Sequence, residues 1–190
     1  MNTDFCYFCM QLPGFFAGET PSITLEDFDR RLEIVDPAAA RYVRACTYPL
    51  PSDPSFPRGS AAVKLRAFDA ALRYEVACFR AARAGLETPP RPRQLRPVPG
   101  QGDEVRAIAK LNPFEREKKL NALRGAFLDR IAAADPMSRE AAACYRLRLA
   151  MRQWETTFAD PSGGEIFRRT VDEIEHESIG DPLAPPPGRN

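Results

Sequence analysis

The sequence predicts an all-α protein, a helical bundle of six or seven helices arranged in two lobes. Apolar residues recur every three or four positions in one segment after another, which is the spacing of one helix face. Residues that favour helix N-termini precede several of these segments, and no series of alternating strand-like segments is present. The 190 residues are 44% hydrophobic and 28% charged, as in a soluble globular protein with its own core.

The aromatic N-terminal segment, residues 5–12, is predicted to be a short extended piece packed against the helical body. It is too short to predict a helix by itself, and Pro13-Gly14 ends it. The segment lacks the basic residues of a signal peptide and carries Asp4. No run approaches the roughly 20 apolar residues of a membrane span. We therefore expect a cytoplasmic protein.

Two short helices are predicted next. Thr24, with Asp27 three residues later, forms a capping box and begins the first helix. The Asp36-Pro37 pair combines a cap with a proline at the first helical position and begins the second. The residues expected to face inward are Leu25, Phe28, Leu32, Tyr42, Val43 and Cys46.

Four prolines between residues 49 and 57 exclude a helix there. A long helix is predicted from Ser60 to about Ala84, where Gly85 ends it. Its buried stripe consists of Leu65, Phe68, Leu72, Val76 and Phe79.

Residues 88–102 are predicted to form an extended connector because they contain five prolines interleaved with arginines. This segment divides the chain into an N-terminal lobe, residues 1–87, and a C-terminal lobe, residues 103–177. The proline-rich end, residues 178–190, is predicted to be disordered.

The C-terminal lobe is predicted to contain a short helix after Asp103 and then the central helix of the protein, residues 112–134. Asn112 and Pro113 supply its cap and first position. Another long helix covers residues 136–158, and an amphipathic helix with an acidic end follows Gly164. The inward side of the central helix consists of Leu120, Leu123, Phe127 and Ile131.

Two charged residues interrupt the apolar stripes, Arg124 on the central helix and Glu75 on the long helix before it. A buried charge needs a partner, since leaving it unpaired costs several kcal/mol. We expect Arg124 to pair with a carboxylate where helices meet, with Glu75 as the first candidate. In the alternative, Arg124 extends along its aliphatic stem to the surface, and the pattern alone does not decide between the two.

Cys6 and Cys9 have a Cys-x-x-Cys spacing that occurs in metal and redox sites. A zinc site needs about four ligands, and the single histidine, His176, lies in an acidic C-terminal segment. No second such pair and no βαβ pattern accompany the two cysteines. Burial beside aromatic residues is therefore the favoured interpretation, and no metal or cofactor is expected.

The sequence also argues against catalysis and against nucleic-acid binding. No nucleophile elbow, phosphate-binding loop or dinucleotide fingerprint is present, so no catalytic residue is assigned. The net charge of +1 and the lack of aromatic residues among the connector arginines disfavour nucleic acid. Four residues of types enriched at protein interfaces lie on the predicted 136–158 helix. Core packing explains the tryptophan equally well. These candidate interface residues are Tyr145, Arg148, Arg152 and Trp154.

Two stretches resemble an uncharacterised family of small bacterial proteins encoded beside subunits of V/A-type rotary ATPases. The first runs from the aromatic segment Phe5-Cys6-Tyr7-Phe8 through Leu12-Pro13 to Ile23-Thr24-Leu25-Glu26-Asp27-Phe28. The second is Asn112-Pro113-Phe114-Glu115-Arg116-Glu117 with Leu120, Leu123, Arg124, Phe127 and Leu128. Together they cover under a third of the chain.

The resemblance implies a non-catalytic accessory or central-stalk-type component of a V/A-type ATPase, in a role like that of the C- or d-type subunit. Such a protein would be cytoplasmic and peripheral at the inner face of the membrane, with ATPase subunits as its partners. Two alternatives stay open. One is a stand-alone helical adaptor or regulator of another protein, and the other is a small metal or redox protein that uses Cys6 and Cys9.

Overall fold

The computed structural model is all-helical and describes residues 3–14, 22–50, 56–93, 95 and 102–158. Within these ranges there are seven α-helices and no strand. This confirms the predicted fold class. The helices are α1 (Thr3–Met10), α2 (Leu25–Arg31), α3 (Pro37–Arg44), α4 (Ala61–Arg83), α5 (Gly102–Ala109), α6 (Pro113–Ala132) and α7 (Arg139–Phe158), with a 3-10 turn at Leu32–Ile34 after α2.

The N-terminal aromatic segment is a helix, so the prediction of an extended piece over residues 5–12 is wrong. An isolated helix of 8 residues is marginal in water, but α1 places Phe5 and Phe8 three residues apart on one buried side. The ring of Phe8 packs edge-on against Phe28 of α2, with their centroids 5.4 Å apart. Tertiary packing therefore stabilises a helix that local sequence does not specify.

The predicted helix caps are present. The Thr24 side chain accepts a hydrogen bond from the Asp27 amide, and the Asp27 carboxylate accepts from the Thr24 amide in return. The side chains of Asp36, Ser60 and Asn112 also accept hydrogen bonds from backbone amides in the first turns of α3, α4 and α6. These bonds satisfy amide groups that have no partner inside a helix.

The buried residues form two clusters, and α7 contributes to both. One cluster joins α1, α2 and α3 to Ala142 and Leu149 of α7. The other joins α4, α5 and α6 to Cys144, Leu147 and Met151 of α7. Residues that face opposite sides of one helix thus connect the two clusters, which makes α7 the common element of this part of the protein.

The two sides of the predicted 88–102 connector share one core, because α4 packs directly against α5 and α6. The packing therefore does not separate residues 1–87 from residues 103–177 into two lobes. The compact units are Met1–Gln153 and Trp154–Asn190. The amphipathic helix predicted after Gly164 and the tail at residues 178–190 lie outside the described residues. Within the described ranges, no helix has the length and hydrophobicity to cross a bilayer.

Candidate functional site

Arg124 is the largest fully buried side chain among the described residues, with 1% of its surface exposed. Its Nε donates to Asp69 Oδ1 of α4 at 2.8 Å, and its Nη1 donates to Glu117 Oε1 at 2.7 Å. Nη1 also donates to the amide oxygen of Asn121. The predicted burial and pairing of Arg124 are confirmed, and the alternative of an arginine at the surface is excluded.

Glu75 is not the partner of Arg124, so that part of the prediction is wrong. Its carboxylate accepts a hydrogen bond at 2.6 Å from Arg91, in the first part of the proline-rich segment. The Arg91 guanidinium also lies over the ring of Tyr74, 5.0 Å from its centroid. Tyr74 donates in turn to the Pro89 carbonyl at 2.9 Å. Glu75 therefore holds residues 89–91 against α4.

The Arg124 network contains two acids and two arginines. Asp69 also accepts from Arg73 Nε at 2.7 Å, so one carboxylate is shared by a buried and an exposed guanidinium. Burial lowers the pKa of Arg124, but the charges of Asp69 and Glu117 more than offset it and raise the pKa above its ordinary value. The arginine stays ionised, and all of its ion pairs are internal. We assign this network to the stability of the α4–α6 contact.

The cysteine pair is half-buried on α1. Burial, with the neighbouring Cys6, raises the pKa of Cys9 to about 11. A thiol of this kind is protonated at neutral pH, whereas metal binding and nucleophilic attack need the thiolate. Within the described ranges, no group of three or more His, Cys, Asp or Glu residues is placed to hold a metal ion.

We expect Cys9 to alkylate slowly. A pKa of about 11 leaves about 100-fold less thiolate at pH 7.5 than an ordinary thiol has. The higher nucleophilicity of a more basic thiolate recovers about tenfold, so the net rate with iodoacetamide should be about tenfold lower. Peptide-level mass spectrometry at several times gives the rate for Cys9, with glutathione as the reference. A rate equal to that of glutathione would contradict the raised pKa.

Two of the four candidate interface residues are used inside the fold. The ring of Tyr145 stacks on Phe28 with centroids 5.6 Å apart, and its hydroxyl donates to the Pro13 carbonyl at 3.0 Å. Arg148 forms an ion pair with Asp129 of α6. Arg152 and Trp154 are half-buried further along α7, and Trp154 is the first residue of the second compact unit. A role for these two at an interface stays a prediction.

A cavity of about 330 Å³ lies beside Tyr145 and Arg148 and is also lined by Cys9, Cys144 and Asp129. Its polar side chains are engaged: Arg148 binds Asp129, and Tyr145 binds the Pro13 carbonyl. Burial raises the pKa of Cys144 to about 12, so this thiol is neutral. The polar side chains of the cavity are therefore already engaged within the fold.

A larger groove, which we call the α4–α6 groove, lies between the C-terminal half of α4 and the start of α6. Its volume is about 650 Å³, and sequence reasoning did not find it. The groove is lined by Arg73, Val76, Ala77, Arg80, Ala81, Ala84, Leu86, Arg116, Glu117 and Leu120.

Small side chains create this groove. Ala77, Ala81 and the C-cap residue Ala84 recur at four and three residues, so they lie on one side of α4 and its end. They leave room where larger residues would fill the space against α6. Leu86, which follows α4, is 67% exposed. Exposed apolar surface of this kind, bordered by polar residues, marks sites of protein interaction.

The described residues that line the groove also carry a net positive charge. Glu117 and Arg73 are balanced within the Arg124 network. Arg80 of α4 and Arg116 of α6 line the groove as well, and neither forms an ion pair with a described residue. The described lining residues therefore have an excess of two positive charges, although the whole chain has a net charge of only +1. This combination of apolar surface and arginine makes the groove the candidate functional site.

Comparisons of the chain with protein-family models, with curated proteins and with solved structures found no match.

Proposed function

We propose that this protein is a non-catalytic helical interaction protein that binds a protein partner through the α4–α6 groove. The observation that carries the proposal is the groove itself. Its volume is about 650 Å³, its lining is mainly apolar, and the exposed Leu86 is one of its lining residues. Arginine is one of the residue types that contribute most to protein–protein binding energy. Glu117 and Arg73, which also line the groove, form internal ion pairs, so the groove offers shape, apolar surface and the two arginines Arg80 and Arg116.

We further propose that the partner is a bacterial V/A-type rotary ATPase, on which the chain acts as an accessory or central-stalk-type subunit. The support is the resemblance of the N-terminal segment and of the start of α6 to proteins encoded with such ATPases. In this proposal the chain is cytoplasmic and reaches the inner face of the membrane through the complex. A stand-alone adaptor that uses the same groove is the alternative.

A pull-down from native membranes with the full chain tests both levels of the proposal. Recovery of the ATPase A, B and D subunits is the expected result. The variant Ala77→Glu places a carboxylate in the groove and should abolish the recovery. The matched control Ala67→Glu makes the same change at another exposed position of α4 and should leave it intact. If both variants lose the ATPase subunits, or if neither does, the groove is not the binding site. If the wild-type sample contains no ATPase subunits, the stand-alone adaptor is the better interpretation.

A further inference from the structure

We infer that the occupant of the α4–α6 groove is an acidic amphipathic helix of the partner protein. The inference rests on the proposed function and gives it a chemical class of ligand. It depends on three properties of the groove: the apolar floor, the small residues along α4, and the position of the two arginines on opposite walls.

The floor decides between a helix and an extended peptide. Val76, Ala77, Ala81 and Leu120 have no side-chain hydrogen-bonding group. An extended segment lying on such a surface would leave its own amides and carbonyls without partners, which is costly when water is removed. Extended ligands are usually bound by a sheet edge that supplies these bonds. A helix satisfies its backbone internally and needs only apolar contacts from the groove.

The alanines fit the close approach of a helix. Ala77, Ala81 and Ala84 form a row along α4, so an incoming backbone can approach this side more closely than it could a row of large residues. A partner with large apolar residues at positions i, i+3 or i+4, and i+7 would fill the groove in the way that helix-in-groove complexes use. Leu86 extends the apolar contact beyond the end of α4.

The charges of the groove determine which charge a partner helix must carry. Arg80 lies on the α4 wall and Arg116 on the α6 wall. A helix in the groove therefore has a guanidinium on each side of its apolar stripe. Glu or Asp residues flanking that stripe would pair with both, whereas Lys or Arg at those positions would be repelled. An acidic helix is thus favoured over a basic helix with the same apolar residues.

Arg116 supports a binding role for a second reason. It is the fourth residue of α6, close to the positive end of the helix dipole, where a cation does not stabilise the helix. No ion pair with a described residue offsets this position. We therefore expect Arg116→Gln to leave the urea concentration at the unfolding midpoint unchanged.

The test uses two synthetic 18-residue peptides that share one leucine stripe at helical spacing. One carries Glu on both flanks of the stripe and the other carries Lys. Fluorescence anisotropy of the labelled peptides with the full-length protein measures binding at 50 and 500 mM salt. The expected result is binding of the Glu peptide at low salt, weaker binding at high salt, and at least tenfold weaker binding of the Lys peptide.

Variants locate the binding site. The double variant Arg80→Gln/Arg116→Gln should weaken binding of the Glu peptide by about fivefold, because ion pairs at an exposed rim are individually weak. The matched control Arg41→Gln removes an exposed arginine from the last turn of α3 and should change binding by less than twofold. Ala77→Glu should weaken binding at least tenfold, and Ala67→Glu by less than twofold.

Several results would overturn the inference: no binding of the Glu peptide, equal binding of both peptides, or equal losses for the groove and control variants. Displacement of the Glu peptide by inorganic polyphosphate at equal charge concentration would also overturn it, since a polyanion has no apolar stripe. If Ala77→Glu abolishes the native pull-down while the peptides show no preference, the proposed function stands and the acidic helix is wrong.

Discussion

Replacing Arg124 by methionine is expected to lower the free energy of unfolding by about 3 kcal/mol. Methionine fills the aliphatic part of the site but removes the guanidinium that donates to Asp69, Glu117 and Asn121. Breaking a buried pair by removing one partner typically costs 3–5 kcal/mol. We expect the lower part of this range because Asp69 keeps Arg73, and because the Glu117 side chain is 32% exposed and can be hydrated. Urea unfolding followed by circular dichroism measures the change.

Double-mutant cycles identify the partner of Arg124. Asp69→Asn and Arg124→Met should be non-additive by at least about 1 kcal/mol, since the two side chains are in direct contact. Glu75→Gln and Arg124→Met should be additive within about 0.5 kcal/mol. Arg130→Met, at an exposed position of the same helix, is the control for loss of an arginine. Coupling to Glu75 in place of Asp69 would contradict the structure.

Phe28→Ala is expected to lower the free energy of unfolding by 3–5 kcal/mol, the usual cost of removing a buried aromatic ring. Phe28 has no exposed surface and lies between Phe8 of α1 and Tyr145 of α7. Its removal takes away the packing that makes α1 helical. The amides of α1 should therefore exchange with deuterium faster, in addition to the global loss of stability.

Phe114→Ala is the matched control for Phe28→Ala because Phe114 is 51% exposed. Thermal or urea unfolding should show a change below about 1 kcal/mol for this variant. Equal effects of the two substitutions, or unchanged exchange in α1 of the Phe28 variant, would show that the aromatic cluster does not hold the N-terminal helix.

Helix faces and caps could be predicted from the sequence because both are local. Asn112, for example, caps α6 as its neighbours Pro113 and Glu115 indicate. Helix α1 could not be predicted, since its stability depends on Phe28, about twenty residues further along the chain. Eight residues are too few to predict a helix from local sequence. The contact that stabilises α1 involves a residue outside this segment.

The partner of Arg124 shows the same limit. With 100° of rotation per residue, Asp69 lies about 60° to one side of the centre of the apolar stripe of α4, and Glu75 lies about 60° to the other side. Both are therefore equally good candidates from the sequence alone. Which of them meets Arg124 depends on the side from which α6 approaches. The groove was missed for a related reason: alanine spacing is visible in α4, but its position opposite Arg116 is a property of the packed helices.

The position of Trp154 has a practical consequence for spectroscopy. It is the only indole in the chain and stands at the start of the second compact unit, near the end of α7. Intrinsic emission excited at the red edge of the absorption band therefore reports on one place, whereas far-ultraviolet ellipticity averages over every helix. A native chain thus already carries a single-site probe, and no label has to be attached to follow events at that end of α7.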